Sequence, residues 1–160
     1  DALLVDEVDV SSTKIRNALQ QADVARANHY LGYTFSLKGT VTKGNQIGRK
    51  IGFPTANIEA SDPNKLIPAK GVYAISTNID GQIYPAMLNI GYRPTVNSNA
   101  DNRTIEAHIL GFDADIYQKE ITIFFHEHVR AEQRFNSIDE LKLQLETDKK
   151  KISEILRAYC

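Results

Sequence analysis

Ten consecutive residues, Gly48-Arg49-Lys50-Ile51-Gly52-Phe53-Pro54-Thr55-Ala56-Asn57, combine two glycines, two cations, a proline and two short oxygen-bearing side chains. The chemistry such a set serves is the handling of phosphate. Glycine lets backbone N–H groups come close to an anion, Arg49 and Lys50 bring positive charge, and Thr55 and Asn57 carry hard oxygens of the kind Mg²⁺ prefers. The chain has no Walker sequence G-x-x-x-x-G-K-[ST] and neither the H-R-D nor the D-F-G signature of protein kinases, so any phosphate chemistry here must use a different fold. On composition alone, a Gly/Pro-rich surface loop between strands explains the same ten residues equally well.

The bulk composition narrows the partners. A chain of 160 residues with 42% hydrophobic content can build one core and is too short for two ordinary domains. With 19 basic and 20 acidic residues the net charge is −1, so no global field draws in nucleic acid or an anionic membrane, and a small-molecule substrate fits better. The single cysteine, Cys160, has no internal partner, which points to a reducing compartment. No apolar run approaches the roughly 20 residues needed to span a bilayer, and the start lacks signal-peptide architecture. A cytoplasmic protein is the expectation. The chain begins at Asp1 within an apolar stretch and reads as a fragment from which something upstream was removed.

Several elements must hold the loop in place. Ser11-Ser12-Thr13 reads as an N-cap cluster opening a short helix through Leu19, after an apolar lead-in from Ala2 to Val10. Asp23 can cap a second helix ending at Gly32. From Phe35 the pattern becomes alternating, with Phe35, Leu37, Gly39 and Val41 on one face, and predicts a strand that enters the glycine-rich loop. Gly71 to Ile79 and Gln82 to Ile90 read as strands joined by an Asp80-Gly81 hairpin turn. Thr104 to Leu110 and Ile121 to His128 add further strands. Six or so short strands without βαβ rhythm predict a closed antiparallel barrel. Ser137 with Glu140 forms a capping-box pattern ahead of a helix whose stripe is Ile138, Leu141, Leu145, Ile152, Ile155 and Leu156, expected to pack on the barrel.

Beyond the loop come Gly71-Val72-Tyr73-Ala74, Asn89-Ile90-Gly91-Tyr92-Arg93-Pro94-Thr95 and Glu106-Ala107-His108-Ile109-Leu110. With the G-R-x-x-G-F-P-T-A-N stretch, these resemble riboflavin kinase, specifically the C-terminal module of the bacterial bifunctional riboflavin kinase/FMN adenylyltransferase, or FAD synthetase. The resemblance runs from about Phe35 to the C-terminal helix. Val10 to Arg16 also resembles the S-S-T-x-I-R segment that closes the adenylyltransferase domain of that family. It implies that residues 1–33 are a remnant of that domain and 34–160 the kinase domain.

The resemblance further implies a mainly β, six-stranded Greek-key barrel that transfers the γ-phosphate of ATP to the ribityl 5′-hydroxyl of riboflavin, giving FMN and ADP. Mg²⁺ would accompany ATP, and an adenylyltransferase domain would be covalently linked in the full-length protein. By family likeness Thr55 and Asn57 hold Mg²⁺ and phosphate oxygens, Gly44 and Arg49 line the phosphate loop, and Glu106 is the catalytic base. Ile109, Gly111 and Tyr117 fall where the family meets the nucleoside end of ATP. Arg130, Gln133 and Phe135 fall where it holds the flavin. The loop from Gly44 to Gly52 is expected to order on ATP–Mg²⁺. The chain departs from the family pattern at Gln118, where Gly is usual, which bears on a turn, and at Gln133, where some relatives carry Lys.

Taken without the resemblance, Glu106 reads as a solvated strand residue, and Ile109 and Tyr117 as barrel packing. Two other function classes compete. His126-Glu127-His128 puts two imidazoles on one strand face with Glu132 following and His108 as a third ligand, the pattern of a metal-binding cupin barrel, although the glycine expected after such a motif is absent. A non-catalytic nucleotide-binding or protein-binding barrel is the other, but it has no chemical need for a base beside Thr55 and Asn57.

Overall fold

The computed structural model describes residues 3–42, 52–92, 103–112 and 114–159. Gly44, Arg49, Lys50 and the Arg93-Pro94-Thr95 stretch lie outside them. Six strands, β1 (Ser36–Thr42), β2 (Ala56–Ala60), β3 (Gly71–Ile79), β4 (Gln82–Tyr92), β5 (Arg103–Ile109) and β6 (Glu120–Arg130), close an antiparallel barrel in the order β1-β2-β5-β4-β3-β6. Helices α1 (Leu3–Gln20) and α2 (Val24–Leu31) precede it, and α3 (Ile138–Leu156) follows.

The barrel follows from period-two alternation. Along β1 the buried residues are Leu37, Gly39 and Val41, the face read from the sequence. At Gly39 the barrel wall is so close that a Cβ would meet Ile58 Cγ2 and the Glu59 carbonyl oxygen, so only glycine fits there. The β3–β4 hairpin turns at Asp80 and Gly81, both with positive φ (53° and 87°), as a two-residue turn between right-twisted strands requires. The short strand β2 was not marked in the sequence, because Ala56 to Ala60 contains one large apolar residue, Ile58, and its identity as a strand comes from pairing with β1 and β5.

Two apolar clusters divide the molecule. The interior one holds Leu37, Ile58, Tyr73, Ile75, Leu88, Ile90, Ile105, Ala107, Ile123 and Phe125, and is extended by Ala18, Leu19, Val24 and Ala27 from α1 and α2. Asn28 clamps the helical pair to the barrel: its amide donates to the Phe125 carbonyl and its Oδ1 accepts from Phe35 N, each at 2.7 Å. The second cluster lies on the outer wall, where Phe53, Val72, Ala74, Met87 and Leu110 meet Ile152 and Leu156 of α3.

The helices correct two expectations and sustain others. Helix α1 runs unbroken from Leu3 through Ser11-Ser12-Thr13, with Ser12 and Thr13 exposed on it, so these residues sit inside the helix instead of capping it. Ser and Thr are only mildly unfavourable in a helix interior, and the flanking residues carry it through. Asp23 caps α2 by accepting from Arg26 N, and Gly32 closes it in the left-handed conformation. Ser137 caps α3 by accepting from Glu140 N at 3.1 Å, while the Glu140 carboxylate reaches back to Asn136 N. The expected stripe on α3 is buried only in its second half: Ile152 and Leu156 are buried, and Ile138 is 59% exposed.

Candidate active site

Strand register places the functional candidates on one row that winds across the barrel wall, an open ring whose ends do not meet, since β1 meets β6 at Thr40 and Glu120 and not at Thr42 and Arg130. Thr42 pairs with Asn57, Asn57 with Glu106, Glu106 with Asn89, Asn89 with Val72, and Val72 with Arg130, so one residue from each of the six strands lies in the ring. Directly opposed residues share a face. That face is the outer one, since Val72 belongs to the cluster under α3 and the neighbours of Glu106 on β5, Ile105 and Ala107, point into the interior.

Glu106 is half-buried at the middle of the ring, and the Thr55 hydroxyl donates to its Oε1 at 3.4 Å. That is longer than the usual O–H···O separation of about 2.7–2.8 Å, so the two oxygens are neighbours without being tightly bound to each other. Asn57 stands opposite Glu106 one strand spacing away. The Thr55 hydroxyl and the Glu106 carboxylate thus meet beside β2, one strand away from Thr42, the last residue of β1.

The segment that carries Thr55 is held from β5. His108, two residues beyond Glu106 on the same face, has Nδ1 2.8 Å from the Pro54 carbonyl oxygen, and its ring meets that of Phe53 at 5.2 Å between centroids. Since a carbonyl only accepts, Nδ1 is the protonated nitrogen. Burial, with Lys149 adding to it, lowers the His108 pKa, and the hydrogen bond to Pro54 opposes them in part.

On the nucleoside side of the expected site, Ile109 is buried in the interior cluster, so its side chain is barrel packing. Gly111 has φ +67° with open space around its Cβ position. Tyr117 is half-exposed beside Gln118, whose φ of 69° is left-handed, and Gln118 N donates to the Val41 carbonyl at 2.8 Å. The turn at Gln118, where the sequence departs from glycine, is therefore anchored to the end of β1.

At the other end of the ring the Arg130 guanidinium grips the buried carboxylate of Asp148 on α3, through Nε at 3.0 Å and Nη2 at 2.8 Å, with Gln144 Nε2 donating to the same group. It also lies over the half-buried Phe135 ring, 5.8 Å from its centroid, while Gln133 is exposed. The Glu132 carboxylate lies against Gly91, where a Cβ would come within 2.4 Å of Oε1. Asp148, Asn89 and His108 carry no role in such a site when the residues are read from sequence alone. Strand alternation could have placed His108 beside Glu106, but no local signal could have paired Arg130 with a residue 18 positions away.

The histidines of the rival metal reading are dispersed. His126 occupies a register shift in the β3–β6 pairing, with Nε2 2.8 Å from Ser76 Oγ and its ring stacked on Tyr159, whereas His128 packs edge-on to Tyr73 beside Gly71. Among the described residues no group of three or more His, Cys, Asp or Glu could hold a metal ion.

A family model described as riboflavin kinase (flavokinase) matches residues 31–156. The chain belongs to the riboflavin kinase family. It is 41% identical over 144 residues to the bifunctional riboflavin kinase/FMN adenylyltransferase of Pseudomonas fluorescens, covering 90% of this chain and 45% of that protein. To the protein of the same name from Bacillus subtilis it is 38% identical over 150 residues, covering 93% and 47%. The chain thus spans about half the length of these relatives. Among solved structures, a macrolide-efflux protein from Streptococcus pneumoniae superposes with a TM-score of 0.81 at 34% identity, over 87% of this chain and 45% of that one. Riboflavin kinase from Trypanosoma brucei shares the fold at a TM-score of 0.53 and 22% identity, over 76% and 79%. The six-stranded barrel expected of a riboflavin kinase family member is the fold found. No described helix is long and apolar enough to cross a membrane.

Proposed function

We propose that this chain transfers the γ-phosphate of ATP to the 5′-hydroxyl of riboflavin, giving FMN and ADP. The observation that carries the reading is this row of residues, in which Glu106, with Thr55 and Asn57 next to it, stands three strands from Arg130 and Phe135. Glu106 and Arg130 are three strand spacings apart, roughly 14 Å along the wall, so a ligand lying along it can present an alcohol at the carboxylate and a planar ring at Phe135.

Thr55 and Asn57 would hold the metal that arrives with ATP. Their neutral oxygens suit Mg²⁺, which takes oxygen ligands and shares them with substrate phosphates. When bound, Mg²⁺ neutralises charge on the phosphate oxygens. Glu106 accepts a hydrogen bond from the ribityl 5′-hydroxyl and takes its proton as the oxygen attacks the γ-phosphorus; the bond from that phosphorus to the β-bridging oxygen breaks and ADP leaves. Gly44 and Arg49 are assigned to the phosphate loop, and Gly111, Tyr117 and the main chain at Ile109 to the nucleoside. Arg130, Gln133 and Phe135 are assigned to the flavin end.

In this reading residues 34–160 form the kinase unit and 1–33 the end of an adenylyltransferase domain covalently linked in the full-length protein, which works in the cytoplasm, where ATP and riboflavin meet. The test is incubation with riboflavin, ATP and Mg²⁺ followed by chromatography of the flavins. FMN should accumulate, EDTA should stop it, and no FAD should form; absence of FMN under saturating substrates defeats the proposal.

A further inference from the structure

We propose that His108 is a positioning residue for the phosphate-handling segment, holding Thr55 in register with Glu106 through its Nδ1–H donated to the Pro54 carbonyl. This rests on the kinase reading above and assigns a role to a residue that the reading places in neither the nucleotide set nor the flavin set. The Pro54–Thr55 peptide group is planar, so the direction of the Pro54 carbonyl fixes the plane that carries the nitrogen and Cα of Thr55. On its far side Thr55 is bracketed by the β2 ladder, which begins at Ala56 opposite Ala107 and continues with Asn57 opposite Glu106. On the near side no strand ladder holds it, and Gly52 stands at φ +87° with nothing within 4 Å of its Cβ position. Two contacts from one side chain close that gap: the 2.8 Å hydrogen bond to Pro54 and the packing of the imidazole on Phe53, itself buried under α3.

The same strand therefore supplies two groups two residues apart, Glu106 to meet the Thr55 hydroxyl and His108 to meet the carbonyl just before it. A shift of the threonine by a fraction of its present spacing would matter, because misplacement by about 1 Å can cost on the order of 100-fold in rate.

Two substitutions separate the hydrogen bond from the packing. His108→Phe keeps a ring against Phe53 and removes the donor, whereas His108→Asn keeps a donor at the Nδ1 position and removes the ring. Expected for His108→Phe is a fall of roughly 10- to 100-fold in kcat/KM for ATP–Mg²⁺, with the riboflavin dissociation constant within about twofold of native. Expected for His108→Asn is recovery of most of that loss. Native kcat/KM for ATP in His108→Phe, or an Asn variant as impaired as the Phe variant, overturns the proposal.

Thr55→Ala serves as the reference. If it too leaves ATP kinetics untouched, the assignment of Thr55 to the nucleotide fails; if it is impaired while His108→Phe is not, only the role of His108 fails. A measurement on the unaltered chain needs no variant to fold: the ¹⁵N spectrum of the imidazole should show Nδ1 protonated and Nε2 bare at neutral pH, and the opposite tautomer removes the donor that the proposal requires.

Discussion

At Glu106 the residue scale decides whether this barrel wall is a site or a surface. The carboxylate is half-buried, flanked by the Thr55 hydroxyl at 3.4 Å, and paired across β2 with Asn57. If Glu106 is the base proposed above, Glu106→Gln, which preserves size and most hydrogen bonding but cannot take a proton, should lower kcat by roughly 10²–10⁴ with both ligands still bound. A loose, metaphosphate-like transition state asks little of a base, which puts the lower end of the range within reach if positioning dominates. Steady-state kinetics with direct binding measurements check it, and a native kcat would take Glu106 out of the mechanism. A second residue-scale prediction concerns Gln118, held at φ 69° in the turn against β1. A non-glycine residue there is strained by about 1 kcal/mol, so Gln118→Gly should stabilise the chain by roughly 0.5–1 kcal/mol, less what glycine loses in unfolded-state entropy. Chemical denaturation showing a less stable variant would contradict the strain.

The element that matters most to the site is α3, because it covers the outer wall beside the ring and fixes the chain leaving β6. Its docking has an apolar half, Ile152 and Leu156 in the outer cluster, and a polar half, Asp148 held by Arg130 and Gln144. The Asp148 side chain is 2% exposed, so removing its charge leaves the guanidinium without its counter-ion at a mostly buried position. Asp148→Asn should cost about 3 kcal/mol of stability and loosen the chain that carries Phe135. Urea denaturation gives the first; hydrogen exchange gives the second, with faster exchange at 131–135 than at β1 as the expected pattern. Equal stability of the two proteins would mean that the apolar half alone docks the helix.

For the whole molecule, acidification tests the packing directly. His108, His126 and His128 all have pKa values lowered by burial from the ordinary 6.5. The unfolded chain then binds more protons than the native one below that value, so stability contributed above pH 6.5 is lost as pH falls from there towards the lowered native pKa values. Thermal midpoints should decline between pH 7.5 and 5.5, and His126→Gln should flatten the decline; a constant midpoint across that interval contradicts the burial of the imidazoles. Features legible in the amino-acid order alone were local or periodic: the alternation of β1, the Asp80-Gly81 turn, the caps at Asp23 and Ser137, and the motif residues that carried the family. These are legible because dihedral preference and side-chain alternation act over a few neighbours. The tertiary structure decided what depends on register and docking: that Ala56 to Ala60 is a strand, that α1 runs through Ser11 to Thr13, that Ile109 faces the interior, and that Arg130 is tied to Asp148. A closed barrel fixes the face of every residue by its partner across the ladder, and that information is spread over strands far apart in the chain.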